Sequence, residues 1–183
     1  MGTCLAQMNL EEIYFQESYM ERSLAVVEKM ETLVKELLYV SKTDGKQRTE
    51  YKTIDFAELL RVQIADVTDL LSEKEISLSV DIPDKILCDA DPAQMERAIQ
   101  NVLVNAIRYS PNGEAIYISL SNDKNTVSCK VENTGVHIPK EMIPHLFEAF
   151  YRADTSRNRN TGGTGLGLYI VRKIMELHHA KYG

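Results

Sequence analysis

The sequence predicts an α+β fold, a sheet packed on helices, with a separate helix in front of it. Three observations carry this reading. Apolar residues recur at helical spacing in three stretches beyond residue 50. Two strand-like runs, Ala115–Ser121 and Thr126–Glu132, are joined by the polar turn Asn-Asp-Lys-Asn and so form a hairpin. A polar stretch from Lys42 to Arg48, with Gly45 and no periodicity, divides both from an N-terminal apolar stripe. Helices and antiparallel hairpins in one unit favour a sandwich over a doubly wound parallel sheet.

The N-terminal stripe comes first. Met20, Leu24, Val27, Met30, Val34 and Leu37 fall in steps of three and four, with Ser18 and Glu21 as a capping box at the start. Val26, Leu33, Leu38 and Val40 widen the stripe beyond the needs of a lone surface helix, so the reading is one member of an intermolecular bundle. Simple packing onto the following domain is the competing expectation. Gly2 to Glu17 is helical at best and weakly patterned.

From Tyr51 a second unit begins. Phe56, Leu59, Leu60, Ile64, Val67, Leu70 and Leu71 predict one amphipathic helix capped by Asp55. Ile76 to Ile82 alternates with period two, a strand with one buried face, and Ile86–Cys88 is a short strand. Asp91-Pro92 is an N-cap followed by proline at the first helical position, opening a helix that Ser110-Pro-Asn-Gly113 stops after Tyr109. A short helix follows Pro139. A polar loop spans Asp154–Thr161, and glycines from Gly162 lead into a last helix, Leu168–His178.

Composition bounds the function. The 183 residues are 44% hydrophobic and 26% charged, which excludes a wholly disordered chain. Acidic residues number 27 against 21 basic, net −6, without the basic excess of a duplex-binding module, so no nucleic acid is expected as partner. No apolar run approaches the roughly 20 residues that span a bilayer, and the N-terminus lacks a signal peptide's basic start and apolar block. Cys4, Cys88 and Cys129 are scattered without a CxxC pair and read as reduced thiols.

Chemistry concentrates in four places. Asn101, Asn105 and Arg108 share one face of a helix that is otherwise apolar at Ile99, Val102, Leu103, Val104, Ala106 and Ile107. The stripe is either a wet face or a ligand face. Asparagine is a poor helix former for a merely wet face, and its neutral carbonyl suits Mg²⁺ that also holds phosphate oxygens. Arg108 can meet phosphate directly, and Tyr109 adds a ring and a hydroxyl. Asn133 sits two residues before Gly135, where a turn can present an amide to a flat heterocycle. Gly163, Gly165 and Gly167 run into a helix whose first amides favour anions. Arg152, Arg157 and Arg159 are either a solvated loop or a lid that brings positive charge to a polyphosphate.

In order, these segments resemble the four ATP-site boxes of bacterial sensor histidine kinases. Asn101-Val-Leu-Val-Asn-Ala-Ile-Arg-Tyr-Ser110 matches the N box and Asn133-Thr-Gly-Val-His-Ile-Pro139 the first glycine box. Leu146-Phe-Glu-Ala-Phe-Tyr-Arg152 matches the phenylalanine box and Gly163-Thr-Gly-Leu-Gly-Leu168 the second glycine box. Glu31-Thr-Leu-Val-Lys-Glu-Leu-Leu38 resembles the second helix of the family's dimerisation hairpin. The likeness is greatest to kinases of Gram-positive bacteria that sense cell-wall antibiotics.

The resemblance implies a two-layer sandwich of a mixed sheet on helices. Residues 1–42 would be a helical dimerisation segment forming a homodimer, 43–50 a linker and 51–183 the ATP-binding catalytic domain, trimmed at its C-terminus. It implies ATP and Mg²⁺ as ligands, with Asn105 on the metal and Asn101 in support one turn earlier. Arg108 and Tyr109 would meet phosphate and nucleotide, Asn133 the adenine edge, and Gly135 would let the base lie close. Arg152 would approach the terminal phosphate, and Gly163, Thr164, Gly165, Leu166 and Gly167 would anchor the lid and face the phosphates. The γ-phosphoryl would pass to a histidine and then to an aspartate of a response regulator. None of His137, His145, His178 and His179 stands in the acceptor context, which places the acceptor on a helix before Gly2. His178 and His179 read as cations favouring a helix C-terminus. The chain would be the cytoplasmic portion of a bacterial inner-membrane protein, tethered by segments outside this sequence.

Two positions depart from the family pattern. Asn133 stands where an aspartate is usual, which removes a charge from the adenine contact. His137 stands where a second glycine is usual, and a histidine cannot make every turn a glycine can. A metal role for His137 is poor, with only His145 nearby. A nucleotide- or partner-binding module without phosphoryl transfer is therefore the alternative. A gyrase-type or mismatch-repair-type ATPase would carry a water-activating glutamate where Asn101 stands. A purely structural dimerisation protein has no use for the glycine boxes.

Overall fold

The computed structural model describes residues 2–44, 49–124, 126–135, 137–152 and 163–183, with the side chains of its first helix described from 19 to 41. It divides into two compact units, Met1–Ser41 and Lys42–Gly183.

The first unit is one helix, α1 (Gly2–Asp44). It runs through Ser18 without a break, so the capping box expected there does not start a helix: spacing of hydroxyl and carboxylate is a local pattern that a helix interior also accommodates. Glu31 and Lys35 pair at 2.7 Å, one turn apart. Met20, Leu24, Val27, Met30 and Val34 are exposed.

In the second unit a strand absent from the sequence reading comes first, β1 (Lys52–Asp55). Asp55 then caps α2 (Phe56–Asp66), its carboxylate accepting from the amides of Ala57 and Glu58. The single helix expected over 56–71 is two. Val67, at φ −105° and ψ 6°, separates α2 from α3 (Thr68–Glu73). The bend lets Leu60, Val67 and Leu71 all reach the core.

β2 (Ser77–Asp81), β3 (Leu87–Ala90), α4 (Pro92–Tyr109), β4 (Ala115–Asp123) and β5 (Thr126–Asn133) follow. A 3₁₀ turn at Ile143–His145 stands where a helix after Pro139 was expected, and α5 (Gly167–Leu177) ends the regular structure. The polar loop 154–161 lies outside the described residues.

β1 pairs with β3 antiparallel, Lys52 opposite Ala90. The main sheet is mixed, in the order β2-β4-β5, with β2 parallel and β5 antiparallel to the central β4. Alternation on β4 buries Ile116, Ile118 and Leu120 on one face. Met95, Ala98, Ile99 and Leu103 of α4 and Ile170, Val171 and Ile174 of α5 complete the core. β2 is an edge strand, and its face is only partly covered: Leu78 is half-buried and Val80 exposed. Among the described residues no helix is long and apolar enough to cross a membrane.

Candidate functional site

The core dictates which side of α4 faces outward. Burying Ile99, Leu103, Ala106 and Ile107 turns Asn101 and Asn105 to half-buried positions and leaves Arg108 exposed. Asp91 starts this helix, its carboxylate accepting from the Gln94 amide at 3.1 Å. Lys74 finishes it, the ammonium donating to the carbonyls of Ile107, Arg108 and Ser110 at 2.8–2.9 Å. Those carbonyls have no partner within the helix, and a cation there also meets the negative end of the helix dipole. Burial and the neighbouring Arg108 guanidinium hold the Lys74 ammonium below the usual lysine range, a cost that three carbonyl acceptors offset.

The glycine-rich segment lies against the polar face of α4. A Cβ on Gly163 would stand 3.0 Å from Arg108 Nη1, and one on Gly167 would stand 3.1 Å from Asn101 Oδ1. Asn101 Nδ2 donates to the Arg97 carbonyl at 2.8 Å, which points its oxygen at the start of α5. Gly165 has φ +76°, and a Cβ there would fall 2.9 Å from the backbone of Phe150. Phe150 itself has φ +64°, and its amide donates to the Gly165 carbonyl at 2.9 Å. Thr164 Oγ accepts from the buried Leu166 at 3.2 Å. α5 then begins without a side-chain cap, so its first-turn amides are open to an anion. Among the described residues the Asn105 side chain has no hydrogen bond; a half-buried amide oxygen on this face is suited to a hard cation.

Asn133 and Gly135 sit at the end of β5. Gly135 needs its glycine twice over, with φ +89° and a would-be Cβ 2.8 Å from Glu114 Cγ and 2.9 Å from Pro111 Cδ. Between them the Thr134 hydroxyl donates to the Glu114 carboxylate at 2.6 Å and accepts from the Ala115 amide at 3.0 Å. The turn that carries Asn133 is thus tied to the segment just after α4. Sequence reasoning missed Lys74, Glu114 and Thr134 as supports, because each acts on a partner 19 or more residues away.

The His137 side chain is exposed, and among the described residues no cluster of His, Cys, Asp or Glu could hold a metal. Arg152 is exposed, and among the described residues it makes no hydrogen bond or ion pair. Arg157 and Arg159 lie outside the described residues. The expectation for His178 changes: its Nε2 accepts the Asp91 amide at 3.1 Å and its Nδ1 donates to the Ile174 carbonyl at 2.8 Å, so the ring is an acceptor here rather than a cation.

A mixed sheet backed by helices, with an asparagine-bearing helix facing a glycine-started one, defines a class of ATP-binding domains. The family model of histidine kinase-, DNA gyrase B-, and HSP90-like ATPases matches residues 90–182, and the chain belongs to that family. Probable sensor kinase SilS of Salmonella typhimurium is 32% identical over 183 aligned residues, 96% of this chain and 35% of that protein. Sensor histidine kinase YkoH of Bacillus subtilis is 36% identical over 149 residues, 81% of this chain and 32% of that protein. Among solved structures, histidine kinase AdeS of Acinetobacter baumannii superposes with a TM-score of 0.68 at 26% identity, covering 82% of this chain and 68% of that one. Histidine kinase ThkA, solved in complex with the response regulator protein TrrA, also gives 0.68 at 26% identity, covering 84% and 42%. Within the family the chain sides with bacterial sensor histidine kinases, and it spans about a third of the length of the two sensor kinases SilS and YkoH. None of these names speaks for the cell-wall-antibiotic branch.

Proposed function

We propose that this chain is the ATP-binding catalytic region of a sensor histidine kinase, passing the γ-phosphoryl of ATP to a histidine for relay to a response-regulator aspartate. The observation that carries the reading is the closure of the glycine-rich start of α5 onto Asn101 and Arg108 of α4. In this reading Asn105 ligates Mg²⁺ with Asn101 in support, and Mg²⁺ neutralises charge on the phosphates. Arg108 and the uncapped α5 start bind phosphate, with Gly163, Thr164, Gly165, Leu166 and Gly167 shaping the cradle. Asn133 and Gly135 receive the adenine beside Tyr109, and Arg152 closes on the terminal phosphate from the lid. Such a site works by positioning and electrostatics.

The exposed apolar stripe of α1 supports a homodimer through residues 1–42, joined by the linker 43–50 to the catalytic domain from residue 51. The ThkA–TrrA complex supports a response regulator as partner, and the sensor-kinase relatives support a cytoplasmic location beside a membrane anchored by other segments. Titration calorimetry with a non-hydrolysable ATP analogue tests the site. Asn105→Ala should abolish the Mg²⁺-dependent part of binding; an affinity equal to that of the unaltered protein refutes the metal role.

A further inference from the structure

The bond between Asp91 and His178 ties the N-cap of α4 to the C-cap of α5. The two helices touch again at Asn101 and Gly167. Asp91 and Asn101 are ten residues apart on α4, and Gly167 and His178 eleven apart on α5. At 1.5 Å per residue these separations are about 15 and 16.5 Å. Two antiparallel helices are therefore pinned at two points of matching spacing. One pin lies at the proposed phosphate cradle, the other at the far end of the pair.

Both partners of the far pin are themselves held. The Asp91 carboxylate accepts from the Gln94 amide and, at 3.0 Å, from the amide of Glu50. On α5, the Nδ1 proton of His178 goes to Ile174, which fixes the tautomer so that Nε2 is the acceptor. The Tyr51 ring meets the imidazole edge-on at 5.4 Å, and its hydroxyl donates to the Leu177 carbonyl at 3.2 Å. Beyond His178 the chain closes in a Schellman motif, with Ala180 donating to Met175 and His179 to Glu176. A slide of α5 along α4 breaks the Asp91 bond at one end and shifts Gly167 against Asn101 at the other.

We propose that His178 is a positioning residue: by accepting the Asp91 amide it sets the axial register of α5 on α4 and so holds the glycine-rich start of α5 against Asn101. The inference rests on the proposed nucleotide site for its consequence, but not for its geometry. His178→Leu removes the acceptor, while His178→Gln places an amide oxygen near the position of Nε2.

Hydrogen exchange on the full chain without nucleotide tests the register directly. In His178→Leu, exchange should rise at Asp91 and also at the bonded amides where α5 begins, Leu166 and Ile170, and His178→Gln should restore both. A rise confined to the neighbours of residue 178, or an Asp91 amide still protected in His178→Leu, overturns the proposal. Calorimetry with the ATP analogue and Mg²⁺ then reads the consequence, a loss of affinity of roughly tenfold in His178→Leu, recovered in His178→Gln. If the unaltered protein binds no analogue, the nucleotide reading fails while the exchange result still decides the register. If it binds and His178→Leu binds equally, the positioning role fails and the nucleotide reading stands.

Discussion

The ammonium of Lys74 lies 2.9 Å from the main-chain oxygen of Arg108, and with its bonds to Ile107 and Ser110 it closes the end of the asparagine helix. The side chain of Arg108 meets Gly163, so a residue in the turn before β2 fixes the base from which a proposed phosphate ligand reaches out. Hydrogen bonds to a charged group contribute about 1.5–3 kcal/mol net. Lys74→Met keeps the stem and removes the donors. It should cost on the order of 2 kcal/mol, a fall in Tm of roughly 4–8 °C for a domain of this size. Calorimetric melting checks it, and an unchanged Tm refutes the capping role.

A second prediction concerns the end of α5. His179 takes φ +53° as the left-handed residue of the Schellman motif, a place that suits glycine. The left-handed conformation costs a residue with a Cβ about 1–2 kcal/mol. His179→Gly relieves that cost but gives the unfolded chain more freedom. The balance should be a gain of up to about 1 kcal/mol, read as a urea midpoint shifted upward without a change in slope. A lower midpoint would show that His179 contributes a contact that outweighs its strain.

Two glycines separate backbone strain from crowding. Gly113 and Gly165 both have positive φ, +79° and +76°, but a Cβ at Gly113 meets nothing within 4 Å, whereas one at Gly165 meets the Phe150 backbone at 2.9 Å. Alanine at either position pays the conformational cost, roughly 1 kcal/mol. Gly165→Ala must also displace Phe150, itself in the left-handed region. Its loss of stability should exceed that of Gly113→Ala, and it alone should weaken binding of the ATP analogue. Equal losses would mean that the segment carrying Phe150 yields freely.

What could be read from the sequence was local, and what could not was distant. Both ends of α4 follow from adjacent residues, Asp91-Pro92 and Ser110-Pro111, and agree with the helix Pro92–Tyr109. β1 escaped because four residues make no pattern and their partner β3 pairs Lys52 with Ala90 across the chain. The break at Val67 escaped because the apolar spacing continues through it. Ser18 misled because the same residue spacing serves a cap and a helix interior. Of the candidate site, the order of the boxes was legible, and so was the sharing of one face by Asn101 and Asn105. The supports were not: Glu114, Thr134, Lys74 and the Asp91–His178 pair depend on tertiary packing, which a single sequence does not display.

Asn133 offers a test of the adenine contact that does not depend on abolishing anything. It ends β5 opposite Ile116, half-buried, in a turn held by Thr134 and by the glycine at 135. In the proposed pose its amide oxygen accepts from the adenine amino group. A carboxylate in that place would make the bond charge-assisted, about twice as strong as a neutral one. With neutral hydrogen bonds near 1 kcal/mol net, Asn133→Asp should tighten binding of the ATP analogue about fivefold. The Glu114 carboxylate, already engaged by the Thr134 hydroxyl, would repel the new charge and reduce that gain, so Asn133→Asp with Glu114→Gln should show the larger effect. A guanine nucleotide carries an oxygen where adenine carries the amino group, and an aspartate has no proton to offer it. Its binding should weaken in the same variant. Calorimetry with both nucleotides reads the contrast, and parallel changes in the two affinities would place the base away from Asn133.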